Sequence, residues 1–173
     1  FADLVGLARF CLYPWDDLTL AALLRSPLCD VDEASLYALA QGRRGSLWGE
    51  LQRRAAERPE WSAARELFAW ARAEAAQRPP FDFYGRLLGR RDAAGRSLRA
   101  RILTRLGREA EQALDAFLAE ALAAERRGVR DLERFAEQMA GSEVEVKREQ
   151  EEGRGEVRVM TVHGSKGLEA PVV

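Results

Sequence analysis

Residues 60–75 read EWSAARELFAWARAEA, and their spacing decides the fold class. Ala64, Leu67, Phe68, Ala71 and Ala75 recur at steps of three and four, which lays one apolar stripe along a single helix face. A strand would need strict alternation, and none is present. Pro79-Pro80 closes the helix, since a proline pushes the residue before it out of the helical region.

The same grammar extends on both sides. Upstream, the opening run is apolar at helical spacing as far as Pro14; Asp17 then serves as the expected N-cap of a helix over 18–25, which Ser26-Pro27 stops. Asp30 followed by Glu33 resembles a capping box, predicting a helix through Ser35–Ala40 that ends at Gly42. Ser46 caps a further helix running towards Glu57, broken at Arg58-Pro59. Downstream, Phe81–Leu88 is a short helix ended by Gly89. Leu98, Ile102, Leu103 and Leu106 make the next stripe, then Ala110, Ala113, Leu114, Phe117, Leu118, Ala121 and Leu122, and lastly Leu132, Phe135 and Met139. Helices joined by short loops bury such stripes only against one another, so residues 1–141 are expected to form a helical bundle and the chain to be mainly α.

Composition excludes several classes. Of 173 residues, 47% are apolar and 32% charged, which is globular rather than disordered. The net charge of −1 means that any basic surface is local. Cys11 and Cys29 lie among apolar neighbours and read as two buried free thiols in a reducing compartment; no Cys/His cluster offers a metal site. With no apolar run near about 18 residues and no basic-then-apolar leader, neither a membrane span nor a signal peptide is expected, and the location is read as cytoplasmic.

Beyond residue 141 the period changes. Residues 143–147 (EVEVK) alternate, 151–155 (EEGRG) form a turn or loop, and 157–162 are a short β-rich run. The chain closes as VRVMTVHGSKGLEAPVV over 157–173. Strand, glycine-containing loop and second apolar run are the grammar of an α/β sheet edge whose connecting loop carries function. Residues 142–173 are therefore expected to begin a second domain, present only in part, with a short β segment.

The loop supplies groups suited to phosphate and sugar. Gly164 and Gly167 allow close backbone approach, Thr161 and Ser165 offer hydroxyls, His163 and Lys166 are donors, and Glu169 can hold a ribose hydroxyl. Lys166 is one of only two lysines among 27 basic residues, and a compact ammonium is not equivalent to a planar guanidinium. This is no Walker A loop, because Lys166 is followed by Gly and the upstream glycine spacing is missing. Nor does it show a catalytic Ser/His/Lys arrangement. Taken alone, His163 also reads as a structural histidine.

The pattern Thr161-x-His163-x-x-Lys166-Gly167-Leu168-Glu169, between two apolar runs, resembles motif V of the superfamily 1 UvrD/Rep-like DNA helicases. The stretch KREQEEGRGEVRVMTVHGSKGLEAP and the opening DDLTLAALLRSPL are similar to the AddA branch, the helicase-nuclease subunit of bacterial double-strand-break repair; Ala170 stands where many relatives carry an aromatic. In that family the second RecA-like motor domain (2A) is interrupted before motif V by a mostly helical insertion, 2B. The resemblance implies that residues 1–141 are such an insertion and that 142–173 resume the motor, truncated. It implies that Thr161 and His163 touch single-stranded DNA, and that Lys166, Gly167 and Glu169 lie on the nucleotide side. ATP and Mg would serve the parent 3′-to-5′ helicase and none would be bound by this chain alone, which lacks a Walker A lysine, a magnesium site and an arginine finger. The implied partners are DNA, as single strand and duplex junction, and a second subunit as in AddAB complexes.

Two further features bear on DNA. Residues 86–108 hold eight arginines and one acid, Asp92, and Arg101, Arg105 and Arg108 are expected to share one helical face opposite Ile102 and Leu106. That stripe reads either as duplex contact or as a solvated face. Most of Trp15, Trp48, Trp61, Trp70, Phe81, Phe83 and Phe117 read as core, and none as a base-stacking platform. The competing reading of the whole chain is a helical protein-interaction module with no nucleic-acid role.

Overall fold

Short polar side chains set where the helices begin. In the computed structural model, which describes residues 1–141, the Asp16 carboxylate accepts from Leu18 N and Thr19 N, Asp32 from Ser35 N, Ser46 from Gly49 N and Ser97 from Ala100 N. Each satisfies a helix-terminal N–H that would otherwise lack a partner. The helices are α1 (Ala2–Leu12), α2 (Asp17–Arg25), α3 (Glu33–Ala40), α4 (Leu47–Arg54), α5 (Pro59–Ala75), α6 (Pro80–Gly89), α7 (Leu98–Leu106), α8 (Ala110–Arg126) and α9 (Leu132–Gly141), with a 3-10 turn at Ala55–Glu57. The described part is thus mainly helical, as the stripes predict. It holds no sheet, only an isolated bridge between Arg91 and Ser97. The expected β segment and the second domain lie outside the described residues.

Several boundaries differ from the sequence reading, each for a local reason. Asp16, not Asp17, caps α2; Asp17 instead reaches across to Leu47 N at 2.7 Å and to Arg43 at 2.7 Å, tying α2 to the start of α4. Asp32, not Asp30, caps α3, while Asp30 takes a left-handed φ of 60° in the connecting turn. Pro59 opens α5 rather than merely breaking α4, because the first helical position needs no N–H. Leu106 is 54% exposed, so the α7 stripe stops at Leu103.

α1 packs on α2, α5 and α9, and α6 packs on α7 and α8. Phe10 of α1 meets Trp48 edge-on at 5.3 Å and Phe68 at 4.9 Å. A second aromatic group joins α6, α8 and α9, with Tyr84 edge-on to Phe117 at 4.7 Å and Phe135 at 5.8 Å from it. The buried Tyr84 hydroxyl donates to Leu4 O at 2.9 Å, which links the two groups without leaving a polar atom unpaired. Each such side chain, fully withdrawn from water, contributes about 1.5–3 kcal/mol.

α1 and α9 run antiparallel. Tyr13 donates to Glu133 at 2.9 Å, and one turn along, Arg9 shares a small surface depression with Glu137. The last turn of α1 and the first turns of α9 therefore lie side by side.

A candidate anion-binding cleft beside α7

The eight arginines of 86–108 separate by what holds them. Four are neutralised by carboxylates: Arg86 by Asp82 at 2.9 Å, Arg96 by Asp92 at 3.3 Å, Arg99 by Asp115 at 2.8 Å and Glu111 at 3.2 Å, and Arg105 by Asp30 at 2.7 Å. The other four, Arg90, Arg91, Arg101 and Arg108, form no ion pair among the described residues. Three of these keep their charge while being held by neutral groups. Arg90 lies over the Trp70 ring at 5.2 Å, Arg91 donates to Gly95 O at 2.7 Å, and Arg101 donates to Leu28 O at 3.3 Å.

Those three arginines line one cleft of about 170 Å³ between α5, the 90–97 hairpin and the start of α7. A tight turn builds the hairpin. Asp92 Oδ1 accepts from Ala94 N and Arg96 N, both at 2.9 Å, Gly95 takes a φ of 76°, and Leu98 N donates to Arg90 O at 2.8 Å. The backbone N–H of Arg96 is the main cause holding the Asp92 carboxyl below its ordinary range. Under the arginines lie Leu28, Leu67 and Leu98, all buried, with Ala63 open at the rim. Cys29 also borders the cleft, and burial pushes its thiol up to about 12, which makes it a poor nucleophile at neutral pH.

Of the duplex candidates, Arg101 and Arg105 sit on α7 and turn towards the 25–30 segment, Arg105 also donating to Arg25 O at 3.1 Å. Arg108 follows Gly107, which ends the helix with φ 87°, and so does not continue their face. Thr161, His163, Lys166, Gly167 and Glu169 lie outside the described residues. Arg90 and Arg91 were missed by the sequence reading; the signal was the Asp92–Gly95 turn spacing, which brings the residues before it back against α7. Of the aromatics, Trp48, Trp61, Phe83 and Phe117 are core, whereas Trp15 is 68% exposed, edge-on to Tyr13 at 5.8 Å.

Cys11 and Cys29 are free and half-buried. Among the described residues no cluster of three or more His, Cys, Asp or Glu side chains could hold a metal ion, and no helix is long and apolar enough to cross a membrane. No protein-family model matches the chain, and no curated protein matches it significantly.

Proposed function

We propose that this chain is the helical accessory unit of a UvrD/Rep-like DNA helicase of the AddA type, together with the segment through which the polypeptide resumes its second motor domain. The observation that carries this reading is the antiparallel pairing of α1 with α9. Helices that return the chain beside its own path let a unit be set into a loop of another domain. The motif V resemblance at 161–169 supplies the identity of that other domain. In this reading Thr161 and His163 contact the backbone of a single DNA strand, while Lys166, Gly167 and Glu169 face the nucleotide cleft and couple ATP state to grip. The helical unit orients duplex or a partner subunit.

The test separates the chain from its parent. The 173-residue chain alone turns over no ATP above background, whereas in the helicase polypeptide His163→Ala or Lys166→Ala lowers DNA-stimulated ATP turnover about tenfold or more, which is at least about 1.4 kcal/mol of lost coupling. Turnover by the isolated chain, or indifference of the parent to both substitutions, overturns the reading.

A second reading, a helical protein-interaction module, is favoured by one specific feature. The arginines left unpaired near α7 surround a floored cleft rather than a track along which a duplex could lie.

A further inference from the structure

We propose that the cleft formed by Arg90, Arg91 and Arg101 over Leu28, Leu67 and Leu98 is a docking site for a partner protein segment in which a carboxylate side chain neighbours an apolar one. The inference stands on the described helices alone and is independent of motif V.

Charge is the first argument. The three guanidinium groups are held by an aromatic ring and two carbonyl oxygens, so each keeps its full charge and several free N–H donors. The acids nearby offset them only in part, Asp92 acting on Arg101 through space. Asp92 is occupied by two backbone N–H groups and by Arg96, and Glu66 stands at the rim 3.8 Å from Arg65. Planar guanidinium forks match carboxylates in two-point geometry, and their existing anchors reduce the side-chain freedom lost when a ligand binds.

Shape decides which anion. The cleft volume of about 170 Å³ falls below the roughly 300–1,000 Å³ of ordinary small-molecule sites, so a whole nucleotide does not fit. One apolar side chain does. An apolar lining of Ala63, Ala93 and the edges of Leu28, Leu67 and Leu98 rewards carbon and gives nothing to a phosphate, whereas a nucleic-acid backbone would be served by cations spread along a groove. An acidic residue engaging the arginines, with its apolar neighbour seated on that lining, uses both halves of the cleft.

The experiment is fluorescence anisotropy on the 173-residue chain with three fluorescein-labelled peptides, GSELELS, GSQLQLS and GSESESS, and a labelled DNA duplex as a fourth arm. GSELELS is expected to bind about tenfold more tightly than either other peptide, with affinity that falls as salt rises. The double variant Arg90→Gln/Arg91→Gln is expected to lower that affinity about tenfold. Ala63→Glu, which places a competing carboxylate at the exposed rim and leaves every arginine intact, gives the same loss; it decides the matter should the double variant lose its helical circular-dichroism signal. Equal binding of the three peptides, or no binding of GSELELS up to about 1 mM, overturns the proposal. So does a duplex that binds more tightly than GSELELS and loses affinity with the same substitutions, which would make the cleft a nucleic-acid phosphate site.

Discussion

Arg53, Arg54 and Arg58 near Trp61, and Arg90, Arg91 and Arg101 around the cleft, are similar in density and opposite in state. The first group is matched by acids two to four residues away. Glu50 takes Arg53 and lies 3.6 Å from Arg54, Glu57 takes Arg54 at 2.8 Å, and Glu60 lies 3.7 Å from Arg58. Arg54 and Arg58 also cover the Trp61 ring at 4.9 and 5.0 Å, so these cations act as packing for a core residue. In the second group the one local acid, Asp92, closes its own turn on Arg96. The basic surface is therefore set by which arginines meet an acid, whether on the same helix or across the fold as Arg105 meets Asp30, and arginine density alone says little.

The largest effect that sharpens this contrast is at Trp61. Its Nε1 donates to Ser35 Oγ at 2.9 Å and the side chain is 1% exposed, so Trp61→Ala should cost about 3–5 kcal/mol in urea unfolding. A cost under about 1 kcal/mol would mean that the first group of arginines packs on nothing of consequence. Next comes a paired substitution. Arg54→Gln, which removes a donor to Ala38 O at 2.8 Å as well as the Glu57 pair, should lower the unfolding midpoint visibly, while Arg91→Gln leaves it unchanged. Equal effects at the two sites would break the comparison. Smaller again is the outcome of Glu50→Gln/Glu57→Gln, which frees local positive charge without opening an apolar cleft: retention on a heparin column should rise while affinity for GSELELS stays fixed.

Acid titration probes the first group as a whole. Hydrogen bonding from Arg54 lowers the Glu57 pKa, and Glu60 is lowered chiefly by a backbone N–H and by Ser35, both from an ordinary 4.5. Because the folded state favours the ionised form, this stabilisation is complete above pH 4.5 and is lost as pH falls below it. At the other extreme, burial raises Cys11 and Cys29 from 9.0 to about 12, so their contribution is present below pH 9.0 and is lost as pH climbs towards 12. Unfolding midpoints measured across pH should form a plateau between those limits; a maximum below pH 4 would contradict the assignment.

Helices were legible in the sequence because apolar stripes are local. Ala64, Leu67, Phe68 and Ala71 lie on the buried face of α5 as their spacing requires. Caps were legible only to within two residues, since Asp16 and Asp17, or Asp30 and Asp32, offer the same chemistry and only the path of the chain selects one. Leu106 was misread as core because α7 ends one residue later at Gly107, and a helix end exposes whatever it carries. The cleft was the least legible feature. Arg90 and Arg91 meet Leu28 and Leu67 across more than twenty residues of intervening chain, and no periodicity encodes that meeting.

The proposed function rests on a helical unit inserted into a motor domain, and one measurement reaches it directly. In a longer polypeptide that contains this chain, residues 3–139 are replaced by a flexible Gly-Ser bridge of about 20 residues, which spans roughly 25 Å. DNA-stimulated ATP turnover should persist in the bridged protein at a rate comparable with the parent, because the motor's own chain is rejoined without strain. Loss of that turnover together with loss of the motor's folded structure would show that these helices belong to the motor itself, and would contradict the account.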